Sequence, residues 1–437
     1  MKKDRSKLLT QTGPDTGAGK TLRQYWMPAA LSDELDNDRP LVAIRLMGED
    51  LILFRSKNGE LGLIDRQCPH RGVDLSYGRL ENCGLRCPFH GWYFDQDGQC
   101  LEQPAEPVDS VLYKKIKTTA YPVIEKNGII FAYMGSEDTP ILPALDCFKA
   151  PSSHVFAFKG LWQCNWLQAL EVGIDPAHAS FLHRFFEDED PKDQYGKQFR
   201  DTVANTDIPI TKILREYHRP QIELEETNYG IRIKTLRHLE KNQTHVRVTN
   251  QIFPCAISIP MSDTMTITQW HVPIDDQNCF WYAMFTSFAE PVDKKMMRDQ
   301  RLAEHTLPNY IPVRNKDNQY GYDAEEQEKY TYTGMGMDIN VHDQWACESM
   351  GNIQNRTKEH LGTSDKAISA YRRLLLQTIS RIEKGESILL GNSKVGDNSN
   401  IKGPIALDVV GPTKKHETIW IDRDTKRRAE CPWDANL

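Results

Sequence analysis

Two short motifs that combine cysteine with histidine place the strongest constraint on how this chain folds. They read Cys68-Pro-His70-Arg-Gly and Cys87-Pro-Phe-His90-Gly, and together they give the pattern Cys-x-His-x16-Cys-x2-His. Two thiolates and two imidazoles form a complete donor set for a metal centre. The fold must therefore bring two loops together around that centre.

Two kinds of metal centre use this donor set. A structural zinc ion takes two Cys and two His, but its cysteines commonly follow a Cys-x2–4-Cys spacing that these motifs lack. A [2Fe–2S] cluster takes two Cys on one iron and two His on the other. Pro and Gly in the motifs favour the cluster, because they let backbone N–H groups approach the bridging sulfides. Cys68 and Cys87 would hold the inner iron, and His70 and His90 the outer iron, of a one-electron carrier.

Length and charge narrow the class of protein. The chain has 437 residues, which suits two domains. Its formal net charge of −7 offers no footprint for nucleic acid or for an anionic membrane surface. It lacks a run of about 18 apolar residues that would predict a transmembrane helix, and its first residues lack the apolar core of a signal peptide. We therefore expect a cytoplasmic protein.

Turn signals indicate short strands between about residues 40 and 135. Three dipeptides stand between apolar runs there and predict β-hairpins: Asn58-Gly59, Asp97-Gly98 and Asn127-Gly128. Both Cys/His motifs then fall on loops between strands of an all-β unit.

A Pro-containing link between residues 139 and 151 marks the expected domain boundary. We divide the chain into an N-terminal arm at 1–39, a [2Fe–2S] domain at 40–150 and a catalytic domain at 151–437. The catalytic domain is expected to mix strands with helices.

Four segments of the catalytic region carry distinct patterns. Residues 161–185 predict a helix that is interrupted near Asp175-Pro176, and residues 208–290 are rich in strand patterns. Residues 313–342 are polar and rich in Tyr and Gly, which predicts a long loop. Residues 364–384 predict a long amphipathic helix, because apolar side chains recur there at helical spacing.

A second group of potential ligands lies in the first of these segments. Asp175, His178 and His183 follow the pattern Asp-x2-His-x4-His. Two His and one carboxylate can bind one face of Fe(II) and leave positions open for O2. Residues five apart lie about 140° apart around an ideal helix, so both histidines can bind one metal only where the helix bends or ends. The alternative is two ordinary histidines on a half-buried helix.

The motifs CPHRG…CPFHGW and the segment from Asp175 to His183 resemble those of Rieske non-haem iron oxygenase α subunits. Flanking segments, among them GKTLRQYWMP and RTKEHLGTSD, are similar to the phthalate 4,5-dioxygenase and 5,5′-dehydrodivanillate O-demethylase branch. The resemblance runs over nearly the whole chain. It implies an α+β fold of the helix-grip type. An N-terminal all-β Rieske domain would precede a catalytic domain with an antiparallel sheet and a long C-terminal helix.

The resemblance also assigns roles at the second metal site. His178 and His183 become two ligands of a mononuclear Fe(II), and the third ligand becomes a carboxylate near the end of the catalytic domain. Asp343 matches best, because it stands shortly before Glu-Ser-x-Gly. Asp338 and Glu348 are the competing acids, and a surface position is the alternative for each of the three.

Asp175 matches the acid that, in this family, links a cluster histidine of one subunit to an iron-ligand histidine of the next. A carboxylate can accept an N–H from each imidazole and orient both rings. The resemblance therefore implies a homotrimer or a multiple of a trimer.

Partners and substrate follow from the same resemblance. The chain contains no flavin or nicotinamide motif, so electrons from NAD(P)H would arrive through a separate reductase, typically an FMN and [2Fe–2S] protein. Substrates of this branch are aromatic carboxylates, which guanidinium binds in bidentate fashion. Arg247 and Arg232 lie on predicted strands and are candidates for this contact, with Arg247 the better one. The alternative is a pair of solvent-exposed strand arginines.

The leading hypothesis is a terminal oxygenase that uses O2 and reductase-supplied electrons to convert an aromatic carboxylate into a cis-dihydrodiol. Aromatic O-demethylation is the alternative, because identical iron ligands serve both reactions and pocket shape decides between them. A pure electron-transfer protein would leave the Asp175 segment and the region after residue 150 unexplained. A zinc-stapled binding protein would be colourless.

Overall fold

A computed structural model of the chain describes residues 1–135, 138–188, 203–386 and 401–435. These ranges contain one β-rich unit before about residue 140 and a larger α+β unit after it. No helix within them is both long enough and apolar enough to cross a membrane.

The N-terminal unit consists of small antiparallel sheets. Its strands are β1 (Trp26–Leu31), β2 (Leu41–Leu46), β3 (Glu49–Arg55), β4 (Leu61–Asp65), β5 (Arg79–Leu80), β6 (Gly84–Arg86), β7 (Tyr93–Asp95), β8 (Cys100–Glu102), β9 (Val123–Lys126) and β10 (Ile129–Tyr133). They form the orders β2-β3-β4, β5-β6-β7-β8 and β1-β10-β9. Gly59, Gly98 and Gly128 have positive φ between paired strands, which confirms the three predicted hairpins.

A large antiparallel sheet forms the centre of the second unit, as predicted. The strands are β11 (Ala144–Leu145), β12 (Val155–Trp162), β13 (Gln221–Glu226), β14 (Gly230–His238), β15 (Gln243–Ile252), β16 (Ala256–Pro260), β17 (Met265–Pro273), β18 (Cys279–Ser287), β19 (His305–Thr306), β20 (Ile311–Pro312), β21 (Lys402–Gly403) and β22 (Leu407–Pro412). The large sheet has the order β12-β18-β17-β16-β15-β14-β13, and β22 also pairs with β15. Hairpin connections thus place β14 to β17 side by side.

Helices cover this sheet. They are α1 (Lys3–Thr10), α2 (Gly17–Leu22), α3 (Asp146–Lys149), α4 (Trp166–Gly173), α5 (Ile210–Glu216), α6 (Lys294–Ala303), α7 (Ala324–Lys329), α8 (Ile339–Ser349), α9 (Lys366–Glu383) and α10 (Ile419–Glu430). The long helix α9 confirms the predicted amphipathic helix: Ile368, Tyr371, Leu375 and Ile379 are buried in the main core. It ends before Gly385, whose φ of +69° suits a residue that terminates a helix.

The first two helices belong to the packing of the larger unit. Both α1 and α2 contact α9, and a Cβ at Gly17 would lie 2.9 Å from Ile379 Cγ2. Thr12 donates two hydrogen bonds to Asp276 Oδ1, at 2.8 and 3.0 Å. The chain therefore returns its N-terminal segment to its C-terminal unit. The three-part division of the chain stays a prediction.

The predicted helix over 161–185 is wrong in extent. Strand β12 continues to Trp162, which pairs with Cys279 of β18. Helix α4 begins only after Asn165, whose side chain accepts a hydrogen bond from Leu167 N. A β-branched and aromatic strand pattern before the cap outweighs the helical pattern that follows it.

The predicted loop over 313–342 is wrong in part, because α7 and the start of α8 lie within it. Asp323 accepts from Glu326 N at 2.7 Å, and Asp338 accepts from Asn340 N at 3.0 Å. These aspartates cap the two helices and were the local signals of their starts.

Candidate metal centres

The two Cys/His motifs form a pair of loops with the same hydrogen-bond pattern. In the first loop Cys68 O accepts from Gly72 N at 2.8 Å, and in the second Cys87 O accepts from Gly91 N at 3.0 Å. Each cysteine N–H donates to the carbonyl five positions further on, at 2.9 and 2.8 Å. Gly72 and Gly91 have φ of +74° and +75°, which side chains rarely adopt. The motif glycines thus shape both loops alike.

The four donor side chains form an inner pair and an outer pair. Cys68 and Cys87 are 1% and 2% exposed, whereas His70 and His90 are half-buried. The two imidazole centroids lie 4.6 Å apart, and the His70 ring stacks on Trp92. Burial raises the pKa of the Cys68 thiol to about 12, so a stable thiolate there requires a positive partner.

The donor chemistry fits a [2Fe–2S] cluster with its thiolates inside and its imidazoles outside. Within the described ranges, the buried His90 Nδ1 makes no hydrogen bond. A buried ring nitrogen without a hydrogen bond is unfavourable by itself and suits a metal ligand.

Helix α4 carries polar side chains that tie it to distant segments. Gln168 Nε2 donates to Cys347 O in the last turn of α8 at 2.9 Å and to Gly351 O just after that helix at 2.7 Å. Glu171 accepts from Arg356 and Arg372 over distances of 2.5 to 3.0 Å. Gln168, Glu171 and both arginines are buried. Their contacts hold α4 in place relative to α8 and α9.

The chain turns sharply after α4, and this turn orients the first histidine. The helix ends at Gly173, before either histidine, as the spacing of the motif requires. Asp175 Oδ1 accepts from Ala177 N at 2.8 Å, and Asp175 O lies 2.5 Å from His178 Nδ1. Since Nδ1 donates to that carbonyl, the Nε2 lone pair of His178 faces the opposite side.

His178, His183 and Asp343 converge in space. The Nε2 atoms of the two histidines lie 3.2 Å apart. Asp343 Oδ1 lies 3.2 Å from His183 Nε2 and 3.8 Å from His178 Nε2. Neighbouring ligands on an ion with bonds of about 2.1 Å lie roughly 3 Å apart. The three ligand atoms all lie within 4.8 Å of one another, so one ion could contact all of them. Two facing imidazole lone pairs and a carboxylate fit a divalent cation held on one face.

His342 orients the second histidine. Its Nε2 lies 2.9 Å from Gly336 O, and its Nδ1 lies 3.4 Å from Nδ1 of His183. Donation from Nε2 to the carbonyl leaves Nδ1 of His342 as the acceptor for the N–H of His183. Burial lowers the pKa of His342 to about 4, which keeps this ring neutral. His183 thereby presents Nε2 to the metal site.

Of the three candidate acids, Asp343 joins the histidine pair. Burial raises the pKa of Asp343 to about 6, and His178 counters this rise. Asp338 caps α8 instead, and Glu348 accepts hydrogen bonds from Gln163 N at 2.8 Å and from Tyr320 Oη at 2.9 Å. Both competing acids thus have structural partners.

The three potential iron ligands line a cavity of about 120 Å³ above the large sheet. Arg247 also lines this cavity, and its Nη1 donates to Asp408 Oδ2 at 2.5 Å. Arg232 is not among the lining residues; it binds Glu225 at 2.8 Å and lies over the Trp420 ring. Arg247 therefore lies at the cavity, whereas Arg232 does not.

Several polar side chains that line this cavity were not predicted from the sequence: Thr235, Thr249, Gln269, His271 and Asn340. A signal was present in TMTITQWHV, where Gln269 and His271 alternate with apolar residues along one predicted strand. Arg237 was not predicted from the sequence either. This side chain is 1% exposed and donates to Tyr217 O and Pro176 O, beside the metal segment.

Comparison with known proteins supports both centres. Residues 25–120 match the family described as Rieske [2Fe-2S] domain, and residues 132–402 match LigXa C-terminal domain like. The first match favours an iron–sulfur cluster over zinc. The second covers the region that a pure electron carrier would leave unexplained.

Relatives of similar length are oxygenase subunits. The chain is 34% identical over 398 residues to the phthalate 4,5-dioxygenase oxygenase subunit of Pseudomonas putida, covering 87% of each chain. It is 31% identical over 387 residues to the 5,5′-dehydrodivanillate O-demethylase oxygenase subunit of Sphingobium sp. (strain NBRC 103272 / SYK-6), covering 86% of this chain and 80% of the relative. The solved structure of NdmA of Pseudomonas putida CBB5 with caffeine shares the fold, with a TM-score of 0.57 and 18% identity. The match covers 83% of this chain and 92% of NdmA.

Family members carry a Rieske cluster and a mononuclear iron, and they receive electrons from a reductase or ferredoxin partner. Both domain matches and the identity over most of the chain agree with the two sets of donors. This chain therefore belongs to the Rieske non-haem iron oxygenase α subunits, in the branch of phthalate 4,5-dioxygenase and 5,5′-dehydrodivanillate O-demethylase.

Proposed function

We propose that this oxygenase hydroxylates an aromatic carboxylate to a cis-dihydrodiol, with electrons that pass from NAD(P)H through a separate reductase. The relatives named for phthalate and phenoxybenzoate support this substrate class. The observation that carries the proposal is that Arg247 and the His178–His183–Asp343 group line one cavity. An anion bound by the arginine would place its ring beside the metal site.

In this assignment the cluster ligands are Cys68, His70, Cys87 and His90. The mononuclear iron ligands are His178, His183 and Asp343. When bound, the cluster supplies single electrons and the iron activates O2. The protein positions these groups, excludes water from the cavity and binds the substrate.

The arginine end of the cavity has an excess of positive charge. Arg247 and Arg237 stand near one carboxylate, that of Asp408. Burial lowers the pKa of His245, so this neighbour adds no charge at neutral pH. Thr235 Oγ1 faces Arg247 across the β14–β15 pair and makes no hydrogen bond within the described part of the chain. One anionic group would balance the charge and satisfy this hydroxyl.

Asp175 is the proposed link between a cluster of one subunit and the iron of the next. It also lines a second, open cavity of about 940 Å³. Phe181, Tyr322 and Tyr332 line the same cavity and are 41%, 44% and 47% exposed. An exposed aromatic patch beside this acid suits the docking of a neighbouring cluster domain. We therefore infer a homotrimer or a multiple of one, and a cytoplasmic location in keeping with ten free cysteines.

An isotope experiment tests the reaction. The enzyme and a flavin/iron–sulfur reductase would be incubated under ¹⁸O2 with benzoate, the phthalate isomers and methoxybenzoates. A product with two labelled oxygens supports dihydroxylation. Formaldehyde release would instead support O-demethylation, which the identity to the O-demethylase subunit keeps as the second candidate. Absence of any product from the whole panel would contradict the aromatic-carboxylate proposal.

The two arginines provide a matched pair of variants. Arg247→Met should lower kcat/KM for aromatic acids by about 10- to 100-fold, because a hydrogen bond to a charged group contributes about 1.5–3 kcal/mol. Arg232→Met removes a strand arginine outside the cavity and should change kcat/KM by less than about twofold. Iron content serves as the folding control. An equal loss in both variants would contradict the carboxylate contact.

A further inference from the structure

A row of contacting planar groups leads from the protein surface into the cluster region. The guanidinium of Arg71 lies 5.3 Å from the centre of the Phe89 ring, and that centre lies 3.9 Å from the centre of the His90 ring. The His90 and His70 rings are 4.6 Å apart. His70 in turn stacks on Trp92 at 4.4 Å, with an angle of 6° between the two planes. The row thus runs from an exposed cation to a buried indole.

The outer end of this row carries a positive charge without a counter-charge. Arg71 is exposed, and the Phe89 residue beside it is 52% exposed. Among the residues that the structure describes, no carboxylate forms a salt bridge with Arg71. By contrast, Arg66 binds Asp74 at 2.6 Å in the same part of the chain. The charge of Arg71 is therefore free to act on its surroundings.

Phe89 determines where this charge lies. An exposed arginine side chain has many rotamers, but attraction between the cation and the face of an aromatic ring favours those that keep the two together. The two contacts of Phe89 place the guanidinium within about 9 Å of the centre of the His90 ring, a distance over which charges still interact at the surface of a protein.

A fixed charge at this place affects the redox chemistry of the cluster. Reduction adds one negative charge to the cluster, so a cation nearby stabilises the reduced form more than the oxidised form. The net charge and the solvent exposure around an iron–sulfur cluster are among the quantities that set its reduction potential. Because His90 is a proposed ligand of the outer iron, Arg71 would act on the exposed side of the cluster.

We propose that Arg71 raises the reduction potential of the [2Fe–2S] cluster, and that Phe89 is the positioning residue that holds the charge of Arg71 beside His90. The inference rests on the proposed assignment of His90 to the outer iron. It goes beyond that assignment, because it gives a role to two residues that bind no metal. A higher potential favours the uptake of an electron from the reductase.

Redox titration of the purified full chain tests this inference without turnover. The visible absorption of the cluster would be followed at fixed pH and low salt in the presence of mediator dyes. At a given solution potential, Arg71→Gln should lower the ratio of reduced to oxidised cluster by about two- to tenfold, as for a unit charge at this distance near a protein surface. A tenfold change corresponds to about 59 mV for a one-electron couple.

Charge-conserving and salt controls show whether the effect is electrostatic. Arg71→Lys keeps the charge and should retain most of the native ratio. In about 1 M KCl the difference between Arg71→Gln and the native protein should shrink, because salt screens exposed charges. An unchanged potential in Arg71→Gln at low salt would overturn the inference.

Lys57→Gln is the matched control for net charge. It removes one exposed positive charge at the turn before β4, and this strand separates the turn from Cys68 by about 16 Å. The ratio should therefore change by less than about 1.5-fold. An equal shift in Lys57→Gln and Arg71→Gln would overturn the inference, because net charge alone would then explain both.

A double variant tests the role of Phe89. In the background of Phe89→Leu, Arg71→Gln should shift the potential by less than half as much, because the guanidinium is no longer held beside His90. The full shift in that background would overturn the positioning role of Phe89. Iron content and cluster absorption are measured for each variant. A native protein that lacks the cluster absorption would overturn the assignment of the cluster ligands, and the inference with it.

Discussion

The two candidate metal-binding regions of this chain are built in different ways. The cluster loops lie within residues 68–91, and their own backbone hydrogen bonds and positive-φ glycines shape them. The proposed iron site instead combines His178 and His183 with Asp343, far along the chain. Long-range contacts of Glu171 and its neighbours on α4 hold its parts together. A local motif is sufficient for the first centre, whereas the second depends on the tertiary fold.

Removal of the proposed third iron ligand should have the largest effect. In Asp343→Asn a neutral amide replaces the carboxylate, so the iron loses a charged ligand and activity should fall on the order of 100-fold or more. Metal analysis should find about two irons per chain instead of about three, and the visible absorption of the cluster should persist. Retention of all the iron, or bleaching of the cluster, would contradict the independence of the two centres.

Glu171→Gln tests whether contacts distant from the metal support the iron site. The variant leaves Arg356 and Arg372 as buried cations with one fewer carboxylate, which should cost about 3–5 kcal/mol. The urea midpoint, followed by tryptophan fluorescence, should fall, and iron should be lost before the cluster. Glu359→Gln is the matched control, because Glu359 pairs with Arg372 alone and should cost less. Similar midpoints for both variants would contradict this ranking.

Alanine substitutions in the two cluster loops should have the smallest effect. Gly72 and Gly91 share a left-handed conformation that costs alanine about 1–2 kcal/mol. At Gly91 the new Cβ would also lie 2.6 Å from Pro104 Cγ, whereas at Gly72 nothing lies within 4 Å. Gly91→Ala should therefore lose its cluster absorption faster on heating than Gly72→Ala. If both variants lost their cluster absorption at the same rate, the contact with Pro104 would not affect the stability of the cluster loop.

The same contrast explains what was predictable from the sequence. The cluster motifs could be read directly, because ligands and turn-forming glycines are adjacent in the chain. Asp343 came only from a family resemblance, since no local pattern connects it with His178. Gln269 and His271 stand out as polar residues in their strand, but their place in the cavity was not predictable, because β17 is buried on both faces and its alternation does not show which face lines a cavity.

Strand direction also separated the two arginine candidates. Arg232 stands three positions before Thr235 on β14, so the two side chains point to opposite faces of the sheet. Arg247 is the register partner of Thr235 and shares its face. The sequence contains both arginines on plausible strands, but only the sheet order and the position of α4 decide which face is the inner one.

The packing of α1 and α2 against α9 has a consequence for biosynthesis. These two helices are synthesised well before their partner, which ends at Glu383. At about 5–20 residues per second, they wait roughly 20–70 s before they can dock. During that interval the apolar side chains Leu9 and Leu22, which are fully buried in the finished protein, remain exposed. Part of the packing of the catalytic unit is thus a late step that joins segments synthesised far apart in time.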